Sequence, residues 1–538
     1  MKSTLGFTMQ KLFSKGSLYA LPIALLTLIP LLVVLSSFLH PQPEIWQHLS
    51  EYVLPRVLKN TAILMLGVSA GVLLLGVSLA WLTAVCDFPL RRFFAWSLML
   101  PLAMPAYVLA FVQVGLLDFT GPVQTLIREW TGDSSWFPRI RSTGGVILVL
   151  TLAFYPYVYL LARNAFLTQG KRGIEAAQML GMSRRMAFFR VVLPMARPWL
   201  MGGVLLVLME TLADFGTVSI FNYDTFTTAI YQSWFSLFNL PAASQLASIL
   251  VLFVLALAVA EQWGRGRRHY AVRGGSAERI VLRGAGRYLA LAWCSVVLLV
   301  AFVIPFIQLL VWVKSVWVLD FDERYPWFIL RSIAIAGMAA LLVTGLGLIL
   351  VYAQRRYKDT RWLVRLATLG YAVPGTVLAV GVFIPIAWLD NLLIPVLAYF
   401  GVATTQVLKG TLLVMLLALA ARFMAVAFAP IDAAMQRITR NQEDAARSLG
   451  LSSRQVLRRV HLPLLRGGLL TALLIAFVDV MKEMPITLMT RPFGWDTLAV
   501  RVFEMTSEGM WERAALPSFF IVLMGLIPVI LLVRKTED

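Results

Sequence analysis

The chain has 538 residues, of which 59% are hydrophobic and only 14% are charged, and its mean hydropathy is +0.79. This composition excludes a soluble protein of several globular domains and predicts an integral membrane protein. The formal net charge of +19 does not require a nucleic-acid partner, because the basic residues fall in short loops beside apolar stretches, as the positive-inside rule predicts. Cys86 and Cys294 have no metal-ligand spacing and indicate neither a disulfide framework nor a zinc site.

Apolar stretches long enough to cross a bilayer occur six times in each half of the chain. In the first half they cover residues 17–39, 61–85, 96–117, 145–165, 199–220 and 246–263. In the second half they cover residues 289–313, 333–352, 363–386, 410–428, 468–488 and 516–533. The sequence therefore predicts an all-α integral membrane protein with twelve transmembrane helices. A first repeat, residues 1–263, and a second repeat, residues 288–538, are joined by a Gly- and Arg-rich cytoplasmic linker, residues 264–287.

The distribution of Lys and Arg predicts the orientation of these spans. Basic residues follow spans two, six and eight, whereas the loops at residues 221–245 and 389–407 contain neither Lys nor Arg. The basic loops and both termini are therefore expected in the cytoplasm. An even number of spans per half makes the two repeats parallel, related by an axis along the membrane normal.

A polar helical motif lies between apolar spans and occurs twice, at residues 175–194 (EAAQMLGMSRRMAFFRVVLP) and 444–463 (DAARSLGLSSRQVLRRVHLP). The two copies are 444 − 175 = 269 positions apart, half of the chain, which indicates a whole-chain duplication. Each copy predicts a helix, a glycine, a serine cap, and a second helix with a proline. The motif residues are Glu175, Ala176, Ala177, Gly181 and Pro194 in the first copy, and Asp444, Ala445, Ala446, Gly450 and Pro463 in the second.

This spacing resembles the EAA loop of ABC importer permeases, E-A-A-x3-G-x9-I-x-L-P. Val191 and Val460 stand where that pattern has Ile, and the second copy begins with Asp444 in place of Glu. The resemblance implies that both loops are cytoplasmic helices that dock into an ATPase subunit. A generic interfacial helix-turn-helix is the alternative for a single copy, and the duplication favours ATPase docking. The chain has no G-x-x-x-x-G-K-[ST] motif, so ATP is expected to be used by a separate ATPase and no cofactor by this chain.

Two prolines, Pro105 and Pro374, occupy equivalent places in span three of each half. A proline inside a span frees a carbonyl and bends the helix. This suits an element that lines a pathway, and it equally suits a plain kink. Both interpretations stay open at this stage.

Two equivalent pairs of carboxylates lie inside predicted spans: Glu210 and Asp214 in span five, and Asp479 and Glu483 in span eleven. The i, i+4 spacing places both members of a pair on one helix face. Carboxylates at membrane depth are costly and mark ion pathways by default, and four of them would form an oxygen-rich conduit for a hard cation. The alternative is a structural ion-pair cluster with Lys482 or Arg422.

Residues 209–235 and 479–517 look like the fused two-domain permeases of ferric iron ABC importers, and the likeness spans nearly the whole chain. Thiamine permeases share the fused arrangement but are not expected to have the intramembrane acids. Asp214, Phe215 and Gly216 also resemble a motif of molybdate and sulfate permeases, so Asp214 and Glu483 can be gate or structural residues. Glu210 and Asp479 are then the candidates for transient iron ligands.

The resemblance implies a transmembrane subunit of a bacterial importer that moves ferric iron from periplasm to cytoplasm. Its expected partners are a periplasmic substrate-binding protein, two copies of a cytoplasmic ABC ATPase, and the lipid bilayer of the inner membrane. The alternatives are another substrate of the same class, such as thiamine, molybdate, sulfate or polyamine, or an ion-coupled secondary transporter or channel. Neither a secondary transporter nor a channel explains two EAA loops.

Overall fold

The computed structural model describes residues 16–39, 43–264 and 279–537. Most of the predicted linker, residues 265–278, and the basic residues before Gly16 lie outside the described residues. The helices of the first half are α1 Ser17–Ser36, α2 Pro43–His48, α3 Leu54–Val85, α4 Arg91–Ser97, α5 Ala106–Leu117, α6 Pro122–Thr131, α7 Thr143–Met179, α8 Arg184–Ala187, α9 Leu193–Ala213, α10 Gly216–Ile220, α11 Phe226–Tyr231 and α12 Leu240–Gly264.

The helices of the second half are α13 Ala285–Leu298, α14 Ile304–Asp320, α15 Tyr325–Arg356, α16 Arg361–Thr368, α17 Gly375–Tyr399, α18 Leu412–Gln436, α19 Arg440–Ser448, α20 Ser453–Val456, α21 Leu462–Lys482, α22 Pro485–Thr490, α23 Leu498–Ser507 and α24 Trp511–Glu537. Two short strands, β1 Cys86–Asp87 and β2 Ile280–Val281, pair in parallel. Short 3-10 and π-helical turns join several of the helices.

Eleven helical segments among the described residues are long and apolar enough to cross a membrane. The twelfth predicted span falls within α24, a 27-residue helix whose side chains are only partly described. The all-α membrane fold with two sets of spans therefore agrees with the sequence prediction. The helices of each set are apolar enough to lie in the hydrocarbon core of a bilayer, and they satisfy their backbone hydrogen bonds internally.

Spans three and nine begin later than the sequence predicts. Their helices, α5 and α17, begin after Pro105 and Pro374, which adopt extended ψ values of 146° and 143°. Proline lacks the backbone N–H and restricts the residue before it, and here a helix ends upstream and a new helix begins immediately after it. These two prolines are therefore helix starts, and not kinks inside a continuous span.

The two repeats also share irregular turns of the backbone at equivalent positions. Five-residue π-helical turns at Phe188–Val192 and Leu457–His461 lie 269 positions apart. The 3-10 turns at Leu100–Ala103 and Leu369–Ala372, and helices α9 and α21, keep the same offset. Local geometry of this kind depends on local sequence, so equivalent segments of the two repeats adopt the same backbone conformation.

The chain forms two compact units that do not follow the sequence repeats. The first unit comprises residues 1–42, 230–251 and 323–500. Within it, α1 from the beginning of the chain packs on α16 and α17 from the second half. Ala20, Ile23 and Ala24 enter the core there, and the Thr27 hydroxyl donates to the Ala367 carbonyl at 3.1 Å.

The second unit comprises residues 43–229, 252–322 and 501–538. Within it, α14 from the second half packs on α24 and on α5 from the first half. The Trp312 ring stacks on Phe111 with centroids 6.2 Å apart, and the Gln113 amide donates to the Val300 carbonyl at 2.9 Å. The first span of each repeat thus packs in a unit made mainly from the other repeat. The predicted repeat boundaries describe the duplicated sequence and stay a prediction.

Gly381 permits a close approach between α17 and α1 in the first unit, and its replacement provides a test. A Cβ atom at this position would lie 2.6 Å from the Pro30 carbonyl oxygen, which belongs to α1 and is backbone. We expect Gly381→Ala to destabilise the protein by about 1–3 kcal/mol, because α1 must shift. The measurement is the unfolding temperature of the purified protein. Gly345→Ala is the matched control, since nothing lies within 4 Å of its Cβ. Equal unfolding temperatures would contradict the tight packing.

Candidate functional site

The first EAA loop, residues 175–194, turns at a left-handed glycine. Gly181 has a φ of +80°, its N–H donates to the Gln178 carbonyl at 2.9 Å, and the Met182 N–H donates to the Ala177 carbonyl at 3.0 Å. This pair of bonds is the Schellman ending of a helix, which requires a left-handed residue and so favours glycine. The Ser183 hydroxyl then accepts the Met186 N–H at 3.3 Å and caps the next helix.

The second EAA loop, residues 444–463, has the same turn. Gly450 has a φ of +81°, its N–H donates to the Arg447 carbonyl at 2.9 Å, and the Leu451 N–H donates to the Ala446 carbonyl at 3.2 Å. Ser452 and Gln455 form a capping box in which the Ser452 N–H donates to the Gln455 side chain at 2.7 Å. Two separate segments of the chain therefore fold into one rigid turn geometry.

The conserved spacing of the two loops places equivalent residues in equivalent environments. Glu175, Ala176, Asp444 and Ala445 are exposed, whereas Ala177 and Ala446 are buried. Pro194 and Pro463 are the second residues of α9 and α21, and each lies just after a five-residue π-helical turn. In each loop, the acidic residue and the alanine that follows it are therefore accessible to a partner, and the second alanine packs against the protein.

A long helical segment connects each loop to a pair of intramembrane carboxylates. The segments Arg184–Ala213 and Ser453–Lys482 each have 30 residues, which correspond to about 45 Å at the rise of an α-helix. At the end away from the loop, each segment breaks at the second carboxylate of its pair.

Asp214 and Glu483 interrupt their helices and cap the ones that follow. Asp214 has an extended ψ of 128°, and its carboxylate accepts the Val218 N–H at 3.1 Å. Glu483 has a ψ of 123°, and its two carboxylate oxygens accept the N–H groups of Ile486 at 3.0 Å and Thr487 at 3.1 Å. These bonds satisfy donors that the break leaves free. The geometry of both residues fits the structural alternative to a pathway role.

Glu210 and Asp479 lie one turn before these breaks and are half-buried. The charge of Lys482 acts on Asp479, and Arg422, which donates to the Val373 carbonyl at 2.9 Å, acts electrostatically on Glu483. The positions equivalent to Lys482 and Arg422 in the first repeat are Ala213 and Ala153. The cations named in the structural alternative therefore act on the second pair of acids, and they are absent from the equivalent positions of the first repeat.

Each carboxylate pair belongs to a different compact unit, Glu210 and Asp214 to the second and Asp479 and Glu483 to the first. Among the side chains that the structure describes, no group of three or more His, Cys, Asp and Glu residues could hold a metal ion. Glu210 and Asp479 thus stay a prediction as transient ligands of a passing cation.

The sequence analysis missed a polar cluster beneath the second EAA loop. The Arg355 guanidinium donates to Glu443 at 2.9 Å and to the Ile438 carbonyl at 2.8 Å, and His461 lies 3.3 Å from the same carboxylate. The positions equivalent to Glu443 and His461 in the first repeat are Ile174 and Val192. Aligning the repeats and looking for polar residues opposite apolar ones could have found this cluster.

A family model described as "Binding-protein-dependent transport system inner membrane component" matches the chain twice, over residues 72–263 and 344–534. These matches cover more than half of the chain, and the chain belongs to this family. It is a multi-pass inner-membrane permease subunit of an ABC transporter with the type I permease fold, and the ATPase is a separate subunit.

Comparison with individual proteins shows which permeases of this family the chain is similar to. Fe(3+)-transport system permease protein FbpB 2 of Haemophilus influenzae is 29% identical over 487 residues, which are 88% of this chain and 89% of that protein. Ferric transport system permease protein FbpB of Actinobacillus pleuropneumoniae is 24% identical over 71% of this chain and 57% of its own length. Molybdenum transport system permease protein ModB of Escherichia coli is 27% identical over 34% of this chain and 80% of its own length. The predicted resemblance to fused two-domain ferric iron permeases is confirmed.

The capping role of Glu483 leads to a stability test. Glu483→Ala removes the acceptor of two N–H groups and leaves the buried Arg422 without this counter-charge, so we expect a loss of about 3–5 kcal/mol. Glu483→Gln should lose less, because the amide oxygen can still accept an N–H. The unfolding temperatures of both purified variants measure the difference. Glu483→Ala with the stability of the unmodified protein would show that the cap is not needed.

Proposed function

We propose that this chain is the membrane subunit of a ferric iron importer and that Fe3+ is its cargo. The observation that carries the proposal is the 29% identity to the Fe(3+)-transport permease of Haemophilus influenzae across 88% of the chain. The similarity to the molybdenum permease covers only 34% of the chain. A substrate assignment from the longer match is therefore better supported than one from the shorter match.

The chemistry of the intramembrane acids also supports a cationic cargo. Fe3+ is a hard cation that prefers carboxylate oxygens, whereas an oxyanion would be repelled by them. Glu210 and Asp214 have alanines at the positions where the second repeat provides Lys482 and Arg422. We infer that Glu210 and Asp479 contact the passing ion, and that Asp214 and Glu483 hold the helix breaks at which the path can widen.

The proposed coupling runs along the two 30-residue helical segments. Two copies of an ATPase would each engage one EAA loop, and ATP binding would favour one arrangement of the loops over the other. A stiff helix transmits that bias only if the turn at its base is rigid. The left-handed turns at Gly181 and Gly450 supply that rigidity, because each is closed by two backbone hydrogen bonds.

The remaining partners follow from the same proposal. A periplasmic substrate-binding protein would deliver Fe3+ to the loops that contain no Lys or Arg, residues 221–245 and 389–407. Both termini and both EAA loops would lie in the cytoplasm, where the positive-inside rule places their basic neighbours. The chain itself would bind no ATP.

Substitution of the glycines in the EAA loops tests the proposed coupling of ATP hydrolysis to uptake. We expect Gly181→Val together with Gly450→Val to leave the protein in the membrane but to uncouple ATP hydrolysis from uptake, because a β-branched residue is disfavoured at positive φ. Each single variant should show a smaller defect. Uptake and ATPase activity of the reconstituted complex are measured side by side. Gly467→Val in α21 is the control, since nothing lies within 4 Å of its Cβ. Normal coupled transport by the double variant would refute the role of these turns.

Substitution of Glu210 and Asp479 tests whether Fe3+ is the cargo. We expect Glu210→Gln together with Asp479→Asn to lower Fe3+ uptake by about tenfold or more, because a hard cation needs ionised oxygen ligands. Assembly with the ATPase and ATP hydrolysis should survive. Asp432→Asn, a carboxylate in α18 that accepts a hydrogen bond from Gln436, is the control.

The same preparations separate a pathway from a structural role. Uptake is assayed with the native binding protein and with molybdate and thiamine as competitors, and the yield of folded complex is recorded. A lower yield with unchanged uptake per folded complex would assign the two acids to the fold. Full Fe3+ uptake by the double variant, or competition by molybdate, would remove Fe3+ as the cargo of this path.

A further inference from the structure

A cavity of about 440 Å³ lies beneath the second EAA loop, within the first unit. Its wall is formed by the end of α15, by α19 and by the π-helical turn that precedes α21. This volume is within the range of about 300–1,000 Å³ that is typical of small-molecule sites. Four of the residues that line it are arginines: Arg355, Arg356, Arg440 and Arg447.

The acidic side chains of the cavity do not balance these arginines. Glu443 and Asp444 also line it, so two carboxylates face four guanidinium groups. Glu443 engages Arg355 closely, at 2.9 Å, but Arg447 lies 3.9 Å from Glu443 and 3.6 Å from Asp444, beyond hydrogen-bond distance. The wall therefore keeps an excess of positive charge, which attracts an anion.

A buried histidine adds a polar side chain to the wall of the cavity. His461 lines the cavity and is only 4% exposed. Its Nε2 lies 3.3 Å from the Glu443 carboxylate, whereas its Nδ1 has no hydrogen-bond partner. A buried polar group without a partner is costly, and such groups are usually satisfied. When the imidazole is protonated, its Nδ1–H is a donor for an anion in the cavity.

The first repeat does not have this combination of residues. The positions equivalent to the four arginines are Cys86, Asp87, Lys171 and Gln178. Those equivalent to Glu443 and His461 are the apolar Ile174 and Val192. Engagement of identical ATPase subunits would rely on residues that both loops share, such as the glycine and the alanines. This combination of residues is therefore specific to the second loop and needs a separate explanation.

We propose that this cavity is a binding site for a phosphate group, carried either by a free phosphate ion or by the headgroup of an anionic phospholipid. Guanidinium groups form paired, charge-assisted hydrogen bonds with phosphate oxygens. Arg356 and Arg440 are exposed and form part of the wall, so they can turn toward a bound oxyanion. Arg355 and Glu443 hold the wall in place.

The test uses the full-length permease in nanodiscs of phosphatidylcholine and inorganic phosphate as the probe. Isothermal titration should show saturable binding, and Arg356→Gln together with Arg440→Gln should weaken it by about tenfold or more, because two charge-assisted contacts are lost. Arg356→Lys together with Arg440→Lys should keep much of the affinity. Lys171→Gln, which alters the position equivalent to Arg440, should leave the affinity unchanged.

Nanodiscs that contain phosphatidylglycerol identify the source of the phosphate. Weaker binding of inorganic phosphate in these nanodiscs supports a lipid headgroup as the occupant, and unchanged binding supports the free ion. The proposal is overturned if the unmodified permease shows no saturable binding, or if the Gln variant binds as tightly. Loss of phosphate binding whenever the ATPase is attached would also overturn it, because the cavity would then belong to the ATPase-docking surface.

Discussion

A backbone N–H inside a bilayer has no water to bond with, so a helix that breaks at membrane depth needs an acceptor from the protein. Asp214 and Glu483 meet this constraint by accepting N–H groups of the helices that follow them. The carboxylates are thus part of the reason that an interrupted helix is tolerated there. The breaks lie at the ends of the 30-residue helical segments that begin in the EAA loops.

The two repeats share a backbone but differ in their charges. The equivalent turns at Gly181 and Gly450 and the equivalent π-helical turns follow each other closely in geometry. In contrast, Lys482 and Arg422 accompany only the second pair of acids, and Arg355, Glu443 and His461 occur only beneath the second loop. The residues that specify turns and helix breaks are shared by the two repeats. Polar residues differ at positions where the fold accepts either a polar or an apolar side chain.

The first span of each repeat packs with helices of the other repeat. In the first unit α1 packs with helices of the second half, and in the second unit α14 packs with helices of the first half. The family matches begin at residues 72 and 344, after the first span of each repeat. The exchanged spans are therefore additions to the common domain, and each contributes apolar burial and hydrogen bonds such as that of Thr27.

The sequence by itself determined the membrane class, the duplication and the turns of the EAA loops, because hydropathy, spacing and a left-handed glycine are local signals. It also located the four acids, since a charge in an apolar stretch is visible without coordinates. Only the tertiary structure decided that helices begin after Pro105 and Pro374. It also decided that Asp214 and Glu483 cap the helices α10 and α22 that follow them, because these roles depend on where neighbouring backbone groups lie. The packing of α1 with the other half and the cluster of Arg355, Glu443 and His461 join residues far apart in the chain, and no local pattern records such contacts.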